Sequence, residues 1–394
     1  MSYPYGNTRD ASDVIYRNDY RTRYIGWYGA EQNTISAIVH IDDGSAAVDQ
    51  ASEYTYLTIG RAMLTGEEFQ ALFGKPVVIP ILPKSIVYSL YYNITAPPYA
   101  TTVFPDGALY MVNGSSNIYT LSGNSNIIFS TGIPTTPTPS FTSITYYNSN
   151  LYIVDTANSK IYVGSNEYTG SNAPFADMGI SSLVYPTKIQ VSATSIYYLE
   201  QGASTIKMSA NTVGSMATIV AGSTPGFLDG NPAQFNNPLG FVLDAAGTNL
   251  YIADTDNSLI RQMSTTTNTV TTLAGNITEF FNPYPTDNVG NKDGIGVHGD
   301  TLLYHPNDIT MGNNILYIAD TGNNNIRQLT VDGTLSTIGG LPGSNPIYDM
   351  SPKAYLDGFA TESLWNAPSG ITCAKNLLFI SEPLNSAVRI ITIV

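Results

Sequence analysis

Leu316-Tyr317-Ile318-Ala319-Asp320-Thr321-Gly322-Asn323-Asn324-Asn325-Ile326-Arg327 reads as an apolar strand ending on an acid, a polar turn, and a second strand with an arginine seven residues after that acid. Leu250-Tyr251-Ile252-Ala253-Asp254 leads in the same way through a turn to Ile260-Arg261, and Glu382 leads to Val388-Arg389. Each copy is preceded by an acid-glycine turn, Asp229-Gly230, Asp293-Gly294 or Asp357-Gly358, at successive spacings of 64 residues. A proline-containing entry lies between turn and strand: Asn237-Pro238-Leu239-Gly240, His305-Pro306-Asn307-Asp308 and Ala367-Pro368-Ser369-Gly370. Repetition of both spacing and chemistry implies a repeated structural unit.

Working outward toward the N-terminus, six strand–turn–strand cores can be counted: Leu109–Tyr119, Leu151–Tyr162, Ile196–Met208, Leu250–Met263, Leu316–Leu329 and Leu378–Ile391. Each alternates apolar and polar residues, the period of a β-strand. Sheets of about four strands set radially around a channel satisfy that pattern and leave few open edges. An acid is partnered seven residues on in Asp254 and Arg261, Asp320 and Arg327, Glu382 and Arg389, and Glu200 and Lys207. Asp155 faces Tyr162 and Asn113 faces Thr120, so two copies have decayed. A hairpin brings such positions together, so the recurring pairs read as architecture rather than as catalytic groups.

These residues resemble the NHL-repeat family of β-propellers. The resemblance is carried by Gly226-Phe227-Leu228-Asp229-Gly230, by Phe235-Asn236-Asn237-Pro238-Leu239-Gly240, and by the two strand–turn–strand segments ending at Arg261 and Arg327. It is strong over about 220–394 and weaker, though in phase, over 100–220. It implies an all-β, six-bladed NHL-type propeller over residues 83–394, and no single function, since one fold hosts many. The last copy stops one strand short at Val394. The alternating segment Ser85–Tyr92 is placed to supply that strand, which predicts pairing of residues near 85–94 with 387–394.

Charged residues make up 12% of the 394, about half the usual share, and 28 tyrosines accompany abundant Asn, Thr, Ser and Gly. This is a β- and turn-rich composition. The net charge of −14 is uneven: residues 1–90 carry 7 basic against 10 acidic residues, and the remainder 9 against 20. An acidic propeller repels phosphate backbones, which argues against a nucleic-acid partner. The single cysteine, Cys373, excludes an internal disulfide framework and reads as a buried, inert thiol. No run approaches the length of a membrane span, and Met1–Gly6 begins no signal-peptide hydrophobic core.

Residues 1–80 do not follow the repeat. Within 26–82, a small β-rich N-terminal domain is expected, with strands at Tyr24–Tyr28, Ile35–Ile41 and Tyr54–Ile59, a turn at Asp43-Gly44, and one short helix opened by Thr65-Gly66-Glu67-Glu68. Residues 1–25 form a Tyr/Arg-rich arm in which Tyr3, Tyr5, Arg9, Tyr16, Arg17, Tyr20, Arg21 and Arg23 are the expected assembly contacts. Tyrosine and arginine are the types that interfaces favour.

Little in the chain suggests catalysis. Only His40, His298 and His305 are present, too few for the histidine-rich metal site of the amidating lyase that uses this propeller type. Asp287, Asn291, Asp293 and Asp300 in the insertion Thr286–Asp300 offer oxygen ligands, but the calcium-loop pattern is incomplete, so no cofactor is expected and calcium is a minor alternative. No nucleophile elbow or phosphate loop occurs. The expectation is a non-enzymatic structural or adhesion protein, extracellular or on a virion surface, whose partners are proteins: copies of itself or a larger assembly. The alternative is a ligand-binding protein or metal-dependent, lactonase-like hydrolase at the channel mouth, which would require two or more inward carboxylates there.

Overall fold

A computed structural model describes the strand backbones within residues 14–91 and, from residue 100, all residues except 104–108, 113, 123–124, 130–132, 166–174, 201, 278–288, 297–299, 331, 342–356, 360–362 and 394. The chain divides into two units, Met1–Lys84 and Ser85–Val394.

In the first unit, Val14–Asp19, Thr22–Tyr28, Ile35–Asp42 and Thr55–Tyr56 form an antiparallel sheet in that order, and Thr58–Ile59 pairs with Ala62–Met63. The expected strands are therefore present, but the expected boundary at residue 25 falls inside a sheet. Tyr16 and Arg17 lie on the first strand and Arg23 on the second, with Arg17 opposite Tyr24 in register. The β-favouring tyrosines of this stretch explain its recruitment into a sheet. Tyr3, Tyr5, Arg9, Tyr20 and Arg21, the Asp43-Gly44 turn and the helix expected after Thr65 lie outside the described residues.

The second unit is an all-β propeller. Six antiparallel sheets follow one another in the chain, each running outward from an inner strand. The inner strands are Ala100–Val103, Phe141–Tyr147, Pro186–Val191, Gly240–Leu243, Pro306–Gly312 and Gly370–Ala374, here numbered as belonging to sheets 1 to 6. Each inner strand contacts the next, and the sixth returns to the first. The six cores foreseen in the sequence are the second and third strands of these sheets, for example Asn249–Asp254 with Leu259–Ser264 and Ile315–Asp320 with Asn325–Leu329.

The hydrophobic interior follows the same circular logic. Sheet 1 packs on sheet 2 through Ile118, Phe141 and Ile153, and sheet 2 on sheet 3 through Val154, Ile189 and Tyr198. Sheets 3 and 4 meet at Leu199, Phe235 and Phe241, sheets 4 and 5 at Ile260, Leu303 and Ile318. Trp365 and Ile380 join sheet 6 to sheet 5, and Met111 with Phe379 joins sheet 1 to sheet 6. The core is thus six separate apolar wedges, one per junction, because the middle strands bury side chains on both faces, as with Leu250 and Ile252 in one wedge and Ala253 in the next.

The ring closes as the sequence predicts. Ile86–Tyr91 pairs with Ala387–Thr392, in register Ile391 to Val87, Ile390 to Tyr88 and Val388 to Tyr91. Gly358–Phe359 adds beside it, giving sheet 6 five strands. The two ends of the second unit are therefore held in one sheet.

Candidate functional site

The repeated acid–base pairs were the first candidates, and the structure brings each pair together. Arg261 pairs with Ile252 across the hairpin, which sets it diagonally beside Asp254 on the same face. Its Nη1 donates to Asp254 Oδ2 at 2.7 Å, and Arg327 makes the matching contact with Asp320 at 2.7 Å. Arg389 lies 3.4 Å from Glu382, and Lys207 lies 2.7 Å from Glu200. All three arginines are fully buried.

Each arginine serves a second carboxylate that the sequence reading treated only as a turn residue. Arg261 reaches Asp229 at 2.6 Å, Arg327 reaches Asp293 at 2.7 Å and Arg389 reaches Asp357 at 2.9 Å. The signal was the constant phase of the Asp-Gly turn with the arginine that follows. Arg261 also donates to the Gln234 and Leu228 carbonyls, and Arg327 to those of Leu302 and Lys292. The guanidinium of Arg389 also stacks 4.0 Å from the Trp365 ring, and that of Arg261 lies 5.3 Å from Phe235.

The buried acid collects further donors. Asp254 accepts from the Asn236 backbone N–H at 2.8 Å and from Asn257 Nδ2 at 2.9 Å. Asp320 accepts in the same way from Tyr304 N–H and Asn323 Nδ2, each at 2.8 Å. Asp155, without an arginine, keeps the Ser140 N–H at 3.0 Å and Asn158 Nδ2 at 2.7 Å. Burial nevertheless pushes Asp254 up to about 6, against the pull of Arg261, and moves Asp320 and Glu382 upward for the same reason. Through these bonds the acids tie the entry segment, the turn and the hairpin of one sheet together.

In sheets 2, 4 and 5 the turn after the acid is bonded to the entry of the next sheet. Thr156 donates to Pro186 O at 2.6 Å, Thr255 to Pro306 O at 2.7 Å and Thr321 to Pro368 O at 2.6 Å. Three residues on, Ser159, Ser258 and Asn324 adopt left-handed conformations with φ of 54°, 55° and 54°. Their side chains accept the backbone N–H groups of Tyr185, His305 and Ala367, which precede those same prolines. His305 is accordingly a junction residue, with its ring nitrogen 3.4 Å from Asp256 and its ring edge-on to Tyr304.

The central channel holds an ion pair that sequence reasoning missed. Lys188, on the inner strand of sheet 3, places Nζ 2.8 Å from Asp308 Oδ2 on the inner strand of sheet 5. The intervening position on sheet 4 is Gly240, where a Cβ would stand 2.6 Å from Asp308 Oδ1 and 2.5 Å from Asp308 Cα. The Ile371 N–H of sheet 6 donates at 3.1 Å to Asp308 Oδ2, the oxygen that Lys188 also reaches. Around it, Thr372 bonds Thr101 O at 2.7 Å, Thr310 accepts the Cys373 N–H at 3.2 Å, and Thr142 donates to Thr187 O at 3.3 Å. Lys188, Gly240, Asp308 and Gly370 each stand two residues after an entry proline, at Pro186, Pro238, Pro306 and Pro368, so they are comparable positions in the sequence.

Among the described residues, no group of three or more His, Cys, Asp or Glu is placed to hold a metal ion. In the insertion that offers oxygen ligands for calcium, Asp293 is committed to Arg327 and to Thr337, whose N–H and Oγ1 each lie 3.0 Å away. Asp287 and His298 lie outside the described residues. Among the described residues no helix is long and apolar enough to cross a membrane.

No family model matches the chain. It is 27% identical over 165 residues to NHL repeat-containing protein 2 of Bos taurus, a match covering 40% of this chain and 21% of that relative. Its fold is similar to a structural-genomics protein of unknown function from Bacteroides thetaiotaomicron, with a TM-score of 0.60 at 13% identity, covering 97% of this chain and 90% of the other. An auxiliary nutrient binding protein from Bacteroides ovatus is similar at a TM-score of 0.58 and 15% identity, covering 96% and 88%. The resemblance to NHL-repeat propellers is borne out by the named relative and by the propeller fold. The chain spans about a fifth of that curated relative, and likeness at these identities establishes the fold alone.

Proposed function

We propose that this chain is a non-catalytic binding module: a six-bladed NHL-type propeller, each of the six sheets one blade, with a structural or adhesion role on a particle, filament or cell surface. Its N-terminal unit anchors it to copies of itself or to a larger assembly. The observation that carries this reading is the state of Asp308. The inward carboxylate is neutralised by Lys188 and hydrogen-bonded by the Ile371 N–H, so it is spent on joining blades 3, 5 and 6 rather than left for a metal or a proton transfer. A hydrolase at the channel mouth would need such acids free. The low Lys content and acidity of the propeller suit a solvated, outward-facing surface.

The test is the solution mass of the full chain beside a chain of residues 85–394, which keeps the closing strand. Oligomers from the full chain and monomers from the shorter one are expected. Monomers from both would overturn an assembly role for the N-terminal unit.

A further inference from the structure

A cleft of about 640 Å³ opens where the inner strands of sheets 2, 3 and 4 end in their first hairpins. That volume lies within the range of ligand sites, roughly 300–1,000 Å³. Its walls are fixed by their own hydrogen bonds. The Ser149 N–H donates to Tyr146 Oη at 3.2 Å on sheet 2, and on sheet 3 Ser192 Oγ receives the Ser195 N–H at 3.0 Å while Asn211 Nδ2 holds Ser192 O at 3.0 Å. On sheet 4, Asp244 accepts from Thr248 N–H at 2.7 Å, Thr248 Oγ1 at 2.9 Å and Asn249 Nδ2 at 2.9 Å.

What these locks leave over is informative. Asp244 is the single carboxylate of the lining, already saturated by its own hairpin, and no Lys, Arg or His lines the cleft among the described residues. Tyr147 packs its ring against the wedge between sheets 2 and 3, and Tyr197 lies in the wedge between sheets 3 and 4. Both also line the cleft, as does Gln190. Amphipathic rings and an amide on a wall without basic side chains match a ligand that has apolar ring faces edged by hydroxyls. An anionic ligand would find no countercharge there, a cation would find only the one carboxylate already holding its own hairpin, and an apolar peptide would find a wall that is more than half polar.

We propose that this cleft binds a neutral oligosaccharide, with Tyr147 and Tyr197 as packing surfaces and Gln190 as a hydrogen-bonding group. The assignment rests on the binding role proposed above, and the two can fail separately, because sugar binding is scored on the full chain whatever its mass.

Saturation-transfer NMR and calorimetry on the full-length protein would use maltotetraose, cellotetraose, mannotetraose and chitotetraose, with a hyaluronan tetrasaccharide as the anionic comparison. At least one neutral tetrasaccharide is expected to bind and the anionic one not. Gln190→Ala, which removes the hydrogen-bonding group, and Tyr147→Ala, which removes a packing surface, should each weaken that binding by about 5- to 10-fold. Should a variant fail to fold, hydrogen exchange of the wild-type chain decides instead, with sugar-induced protection expected at residues 190–197 and 243–247. Absence of binding to all four neutral sugars, preference for the anionic one, unchanged affinity in folded variants, or protection elsewhere would each overturn the assignment.

Discussion

Lys188 and Asp308 meet across the central channel at 2.8 Å although they stand on sheets 3 and 5, because the residue between them on sheet 4 is Gly240. The pair is mostly sheltered, with Lys188 16% and Asp308 7% exposed. Lys188→Ala would leave the Asp308 charge with only the backbone N–H groups of Ile371 and Ile309 as partners. The expected loss is about 2–3 kcal/mol, at or below the lower end for buried pairs because water reaches the lysine. Gly240→Ala should cost about 1–3 kcal/mol by a different route, since its methyl meets the backbone of Asp308 and not merely a movable side-chain end. Urea unfolding measures both. Unchanged stability in both variants would mean that the contact does not brace the ring.

The buried acids make a pH prediction with a definite sign. Burial raises Asp254 from near 3.8 to about 6, so the folded chain holds this proton more tightly than the unfolded one. Stability from this group is then full below about pH 4 and is lost as pH rises through about 6. Asp254→Asn, which cannot titrate, should flatten the fall in unfolding free energy between pH 4 and 6. Parallel urea titrations of wild type and variant at pH 4, 5, 6 and 7 check this. An identical slope in both would show that the carboxylate stays ionised throughout the window.

Much of this architecture was readable in the chain. Asp320 and Arg327 are seven residues apart, so hairpin geometry alone brings them together, and the same holds for Glu200 and Lys207. The closure of Ile86–Tyr91 onto Ala387–Thr392 followed from a repeat one strand short. Lys188 and Asp308 lie 120 residues apart, and their contact depends on how wide the channel is and on what stands between them. Those are properties of the closed ring, invisible in any one repeat. The partner of the Asp229 carboxylate is hard to read from sequence, because Asp-Gly is so strong a turn signal that it needs no further partner to explain it. Tyr147, Gln190 and Tyr197 share a cleft only because three hairpins end side by side, which periodicity does not reveal.

The threonine stitches predict local weakening at the sheet junctions. Thr321→Val keeps the shape of the side chain but removes its bond to Pro368 O and leaves that carbonyl without its donor. A loss of about 1–3 kcal/mol is expected, with a similar loss for Thr255→Val at the Pro306 carbonyl. The two sites share no partner, so the double variant should lose close to the sum. Urea midpoints at unchanged m-value test it. A double variant much less destabilised than the sum would mean that the junctions already open together.

Cys373 should behave as an inert thiol. Burial pushes it up to about 11, and its sulfur packs beside Gly312, where a Cβ would lie 2.3 Å away. At pH 8 the native protein is expected to react with iodoacetamide far more slowly than the urea-unfolded chain, whose thiol titrates near its ordinary value. Comparable rates in the two states would place the sulfur in solvent.

Ring closure yields the last prediction. Sheet 6 draws Ala387–Thr392 from one end of the propeller and Ile86–Tyr91 from the other, so this sheet alone is assembled from segments about 300 residues apart. Removing Ile86–Tyr91 would leave Ala387–Thr392 as an unpaired edge, carrying the buried Val388, Ile390 and Ile391. Such an edge is a template for aggregation. A chain of residues 85–394 should therefore stay soluble and unfold cooperatively, whereas one of residues 93–394 should aggregate or unfold in a broader, earlier transition. A synthetic peptide of residues 84–94 added during refolding should restore solubility to the shorter chain, because strand addition needs only backbone pairing in the correct register. A peptide with Tyr88 replaced by proline cannot donate at the position opposite Ile390, and should fail. Equal behaviour of the two chains without peptide would show that the six wedges hold the ring without its closing strand.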